Sequence, residues 1–204
     1  MSKKRGRITV EEAVKQARND PALRAMWAEK ARVREEAERA FRRAEAPVVR
    51  DLNIRGIRVD TVCDLVNTDD PYPAAIPVLA DHLQRTYPDD VKEAMARALA
   101  VPEGKPAWKL LRDLFERQQG TKAIGLKWAL ACALAGAADD DVIQDVIEIV
   151  REKRHGENRA ALLFALKKSR KPEARAELRE MKNDSQIGTA ARQVLRGPFG
   201  PQKS

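Results

Sequence analysis

Val78-Leu79-Ala80-Asp81-His82-Leu83 is answered by Leu110-Leu111-Arg112-Asp113-Leu114-Phe115 and again by Val142-Ile143-Gln144-Asp145-Val146-Ile147, each copy 32 residues after the last. Apolar, apolar, Asp and apolar residues stay in register. A second series interleaves with the first, running Val91 to Leu99, Leu126 to Leu134 and Asn158 to Leu166 at offsets of 35 and 32 residues. A fixed period of this size marks stacked supersecondary units, here two helices each, that bury their faces only against their neighbours. Leu126, Ala129, Leu130, Ala133 and Leu134 step at i, i+3, i+4, i+7 and i+8, the stripe of a helix that buries one face. A weaker fourth unit follows, Pro172 to Met181 and then Ile187 to Leu195, and it reads as a cap. The expected fold class is all-α.

The first unit carries the fullest motif: Ile76-Pro77-Val78-Leu79, Leu83, Pro88-Asp89-Asp90-Val91-Lys92, Ala94 and Ala98-Leu99. It resembles a HEAT repeat, with Pro in the first helix, Asp before the second, then Val and a basic residue followed by small ones. The resemblance covers about residues 71–196. It implies a short right-handed α-solenoid of about four HEAT-like helix pairs, preceded by a long N-terminal helical segment. HEAT-like arrays serve as scaffolds, nucleic-acid binders, DNA glycosylases and bilin lyases, so the resemblance speaks to fold more than to function. Lys109 and Asp141 stand where Pro77 would recur.

Working outward, residues 1–8 form a basic arm expected to be disordered, since Lys3, Lys4, Arg5 and Arg7 precede any acid. Thr9 and Glu12 make a capping box that starts a helix near Val10, and Asp20-Pro21 starts a second. From Leu23 to Ala44 a thin seam runs through Met26, Val33, Ala37 and Ala40, supported by Glu35–Arg39 and Glu38–Arg42. It fits a solvated helix whose stripe rests on the following domain, or a coiled coil. Pro47 is expected to end these N-terminal helices, which span 9–45. Residues 46–70 read as a connector or half-repeat, with Gly56 as a C-cap and Asp60 as the N-cap of a short helix 61–66. Residues 197–204 read as a flexible tail.

The chain of 204 residues carries 39 Lys+Arg against 31 Asp+Glu, with 34% charged and 43% apolar residues, the balance of long helices with solvated faces. The longest uncharged run, Trp128 to Ala138, is 11 residues, short of the roughly 20 needed to span a bilayer. No apolar segment follows the basic N-terminus, so no membrane association and a cytoplasmic location are expected. Cys63 and Cys132 lie in no metal-ligand spacing and read as buried thiols; no metal and no cofactor are expected. The four Ser lie in no GxSxG turn, and Gly120 to Lys127 lacks the Lys-Ser/Thr of a phosphate loop.

Two columns recur in the repeat. Lys92, Lys127 and Arg159 share one position of the second helices, with Gly188 in the fourth unit, and Asp81, Asp113 and Asp145 share one of the first helices. The cations either bind an anionic surface or answer the Asp column as structural ion pairs. Trp128 lies opposite the centre of its helix's apolar stripe, to pack on a neighbouring unit or to stand beside Lys127 as an anchor. Trp27 and Trp108 fall at apolar positions and are expected in the core. Residues 151–182 hold 11 basic and 5 acidic side chains, including the patch Lys167, Lys168, Arg170 and Lys171, which caps a helix end or meets phosphates or an acidic protein. With no catalytic residues identified, the leading expectation is a non-enzymatic protein-binding scaffold that uses the inner surface of the solenoid, formed by its second helices, with Trp128, Lys127, Lys92 and Arg159 as the binding surface. The alternative is nucleic-acid binding through the basic arm and column, including a glycosylase-like use of Trp128, Asp113 and Lys127.

Overall fold

In the computed structural model, which describes Thr9 and residues 20–197, helix covers 74% of the described residues and no strand occurs among them. The chain divides into two compact units, residues 1–43 and 44–204. The expected arm, the helix from Val10 and residues 198–204 of the tail lie outside the described residues.

Within the first unit, residues 21–43 belong to helix α1 (Pro21–Ile54). The Asp20 carboxylate accepts the Ala22 amide at 2.8 Å and Pro21 takes the first helical position, where a missing N–H costs nothing. Glu29–Arg32 and Glu35–Arg39 lie along its surface. Trp27, expected in the core, is 44% exposed. Its neighbours along the helix alternate charge with alanine, and Met26 and Val33 are exposed as well.

In the second unit α1 continues through Pro47 to Ile54, correcting the expectation that Pro47 ends it. Pro47 removes one backbone bond, a cost of about 3 kcal/mol in a helix interior. Glu45, Val48 and Leu52, all buried, hold the last turns in place against that cost. The helix stops at Gly56, whose φ of +83° only glycine adopts freely. Gly56 N–H donates to Asn53 and Ile57 N–H to Leu52, the paired bonds of a Schellman cap, as its position in the sequence implied. The short helix α2 (Cys63–Val66) follows. Its start is organised by Asp64, which accepts the Asp60 and Thr61 amides at 2.8 and 3.0 Å, and by Glu45, which accepts Thr61 Oγ1 and the Val62 amide at 2.9 Å. The residue at the cap position is Val62, two places after the expected Asp60, and its side chain makes no cap bond.

Four helix pairs follow. They are α3 (Ala75–Leu83) with α4 (Asp89–Ala98), and α5 (Trp108–Arg117) with α6 (Gly125–Ala137). Next come α7 (Ile143–Arg151) with a 3-10 run Lys153–Leu162 leading into α8 (Leu163–Lys168), and α9 (Pro172–Glu180) with α10 (Gly188–Arg196). The repeat register is a burial register. Leu79, Leu111 and Ile143 are buried, as are Leu83, Phe115 and Ile147. In the second helices the same holds for Met95, Leu130 and Leu162, and for Leu99, Leu134 and Leu166, with Ala98, Ala133 and Ala165 allowing close approach. Each first helix packs on its own second helix, and the second helices pack in succession: α4 on α6, α6 on the 153–162 run and α8, α8 on α10. Trp108 is buried as expected, whereas Cys63 and Cys132 are only half-buried.

The third unit departs from its siblings, because residues 153–162 coil as 3-10 rather than α. Gly156 sits at φ +60° with Thr121 pressed against it, and a Cβ there would lie 2.3 Å from the Thr121 carbonyl oxygen. The Glu157 amide donates to that same oxygen at 2.7 Å. Docking this turn onto the 118–125 loop redirects the backbone before α8 begins.

Candidate functional site

The second helices place the predicted cations in three different environments. Lys127 is not on the surface: it is 8% exposed, its Nζ donates to the Gln118 carbonyl at 2.8 Å and lies 5.2 Å from the centre of the Phe115 ring. Burial pushes its ammonium down. Arg159 is fully buried and forks onto Asp184 at 3.0 Å, with the Val150 and Gly156 carbonyls and Gln186 taking its other donors. Burial raises the Asp184 carboxyl, and the bonds from Arg159 and from the Ile187 and Gln186 amides outweigh that, holding it at about 2. Only Lys92 of the three remains half-exposed. The expected surface column is corrected for Lys127 and Arg159: as the chain crosses from first to second helix its carbonyls lack helical partners, and these two side chains supply donors.

The Asp column does not answer the cation column either. Asp81 pairs with Arg85 just beyond its own helix, Asp113 with Lys109 at 2.9 Å within one helix, and Asp145 with Arg112 of the preceding pair at 2.7 Å. With Asp113 held by Lys109 and Lys127 turned to Gln118, the two polar groups of the glycosylase-like constellation are each engaged elsewhere.

Trp128 lies off the stripe and is half-buried. One turn on, Cys132 is also half-buried; burial pushes its thiol up, and Arg97 and Glu93 of α4 act on it in opposite senses. In register, Glu93, Trp128 and Ala160 share one column and Arg97, Cys132 and Phe164 the next. Phe164 is 62% exposed. The sequence signal for it was the repeat itself: a Phe at a column filled elsewhere by Arg and Cys is outside the apolar stripe. In the patch after α8, Lys167 is half-buried while Lys168, Arg170 and Lys171 are exposed. Asp140 threads the patch, accepting Ser169 Oγ at 2.6 Å and the Arg170 amide at 3.1 Å, which lowers its carboxyl.

Two buried histidines mark polar centres that no sequence motif singled out. His82 spans Tyr87 Oη at 2.7 Å and Asp51 Oδ2 at 3.0 Å. A carboxylate only accepts, so Nε2 donates to Asp51. The bond from His82, helped by Arg50, holds the Asp51 carboxyl below its usual range. A cavity of about 290 Å³, lined by Ile54, Pro77, Asp81 and Arg85 among others, opens beside this pair. His155, in contrast, is 1% exposed and neither ring nitrogen has a hydrogen-bond partner. Its Nε2 lies 3.4 Å from Glu116 Oε2 and 3.3 Å from Glu152 Oε2, and its ring is tilted against Phe115. Arg154 reaches both carboxylates from solvent.

No helix among the described residues is long and apolar enough to cross a membrane. Compared with known proteins, the chain matches no family model, no curated protein and no solved structure.

Proposed function

We propose that residues 71–196 form a HEAT-like solenoid, right-handed like that family, which acts as a non-enzymatic, cytoplasmic scaffold and binds a protein partner on the exposed columns of its second helices. The observation that carries this reading is Phe164, 62% exposed beside the column of half-buried Trp128. Aromatic side chains supply much of the binding energy where they meet a partner, and charges at the rim set its orientation. Here Lys92, the Glu93–Arg97 pair and Lys168 flank the aromatics. With Lys127 and Arg159 drawn inside, the charge on this face no longer forms the continuous cationic row that a phosphate backbone would need.

The test is comparative. A partner captured with the wild-type chain and then purified should lose roughly 2 kcal/mol of affinity for a Trp128→Ala/Phe164→Ala chain, the scale of hot-spot truncation. Tight binding to random duplex DNA that falls steeply with salt and survives that double substitution would favour the nucleic-acid reading and overturn this one.

A further inference from the structure

We propose that Glu116, Glu152 and His155 form a binding site for one divalent cation of the zinc class, held through His155 Nε2 and one oxygen of each carboxylate. The site is built where α5 ends and the turn after α7 begins, so it joins the second and third helix pairs. Three ligand atoms, one from each side chain, lie within 4.8 Å of one another. Two of the three edges are 3.3 and 3.4 Å.

Those edges suit a small tetrahedral ion. Bonds of about 2.0–2.1 Å to nitrogen and oxygen give tetrahedral ligand–ligand edges of about 3.3 Å. Octahedral magnesium at about 2.1 Å needs edges near 3.0 Å, and calcium takes six or more oxygens at longer range. An imidazole with two carboxylates suits zinc better than either, leaving the fourth position for water.

His155 supplies the independent indication. A buried imidazole normally has its nitrogens satisfied, because an unpartnered buried polar atom costs free energy comparable to a lost hydrogen bond. His155 Nε2 faces two carboxylate oxygens and makes a hydrogen bond with neither. Nε2 set between two carboxylate oxygens without a hydrogen bond to either is the position of a ring that shares a dication with them.

Arg154 shows how the site stays stable without metal. Its NH2 and Nε reach Glu116 Oε2 and Glu152 Oε2, the same two oxygens that flank His155. Its side chain is 63% exposed, so it can swing away and surrender the carboxylates to an arriving cation. Glu116 and Glu152 are themselves partly open to solvent, which gives the ion a way in. Lys127, the other nearby cation, is tied to the Gln118 carbonyl and needs no carboxylate.

The experiment is a competition titration of the full chain, first stripped with a chelator, with Zn2+ against a chromophoric indicator. One Zn2+ per chain is expected. Glu152→Gln and His155→Asn should each weaken it roughly a hundredfold, at or beyond what loss of an outer-shell partner costs. Arg154→Ala should bind more tightly, having lost the competing cation, and His82→Asn should match the wild type. Co2+ in the same site should give the intense visible absorption of a four-coordinate ion. Because His155 is buried, its variant is checked by circular dichroism; Glu152, half-exposed, carries the test if His155→Asn unfolds. Failure of the wild type to take up stoichiometric Zn2+, uptake undiminished in Glu152→Gln, weaker binding by Arg154→Ala, or the pale spectrum of six-coordinate Co2+ would each overturn the assignment.

Discussion

Arg159 shows most sharply what position in a repeat does not tell. It shares a sequence column with Lys92, yet it is fully buried on Asp184 while Lys92 is half-exposed. Removing one partner of such a pair strands a buried charge, and Arg159→Ala should lower stability by about 3–5 kcal/mol in urea unfolding. The pair also fixes a pH dependence. Asp184 ionises at about 2 in the folded chain against 3.8 ordinarily, so it stabilises the fold at neutral pH and that contribution drains away as pH falls from about 4 to 2. Asp184→Asn should flatten the acid limb of a pH–stability curve measured by thermal melting. Gly156 is a second residue whose identity the backbone dictates. Gly156→Ala should cost about 2 kcal/mol or more in chemical unfolding, since φ of +60° is strained for alanine and its Cβ meets Thr121.

At the scale of elements, the sequence rules for starting and stopping helices worked where the signal was local. Asp20-Pro21 starts α1 and Gly56 ends it because a cap depends only on its own turn. Pro47 failed as a stop because its penalty, though real, is smaller than the packing of Val48 and Leu52 beyond it. Pro47 is exposed, so restoring the backbone bond disturbs no packing. Pro47→Ala is accordingly expected to raise the midpoint of thermal unfolding, by about 1–3 kcal/mol in stability. An unchanged midpoint would mean that the Arg43 carbonyl already has an equivalent partner.

Across the second unit, succession of second helices makes one continuous core from α4 to α10, and the exposed columns are separable from it. Leu130→Ala should cost about 2–4 kcal/mol, for Leu130 is 1% exposed between helices. Phe164→Ala, at 62% exposure, should change stability by less than about 0.5 kcal/mol while weakening partner binding. Lys127 belongs with Leu130 in this comparison rather than with the proposed binding face, and its truncation would register as lost stability.

The repeat determined, without any coordinates, that the chain is helical and which columns form the core. That was legible because apolar periodicity along a helix and burial are the same fact seen twice. Polar columns carry no such constraint: a Lys or Arg at a fixed position faces solvent or an open carbonyl according to how the connecting loop lies. Tertiary structure therefore decided that Lys127 and Arg159 turn inward. It alone brought His155, Glu116 and Glu152 together, since residues 36 and 39 positions apart in sequence meet only when two helix pairs dock and leave one buried imidazole between two carboxylates.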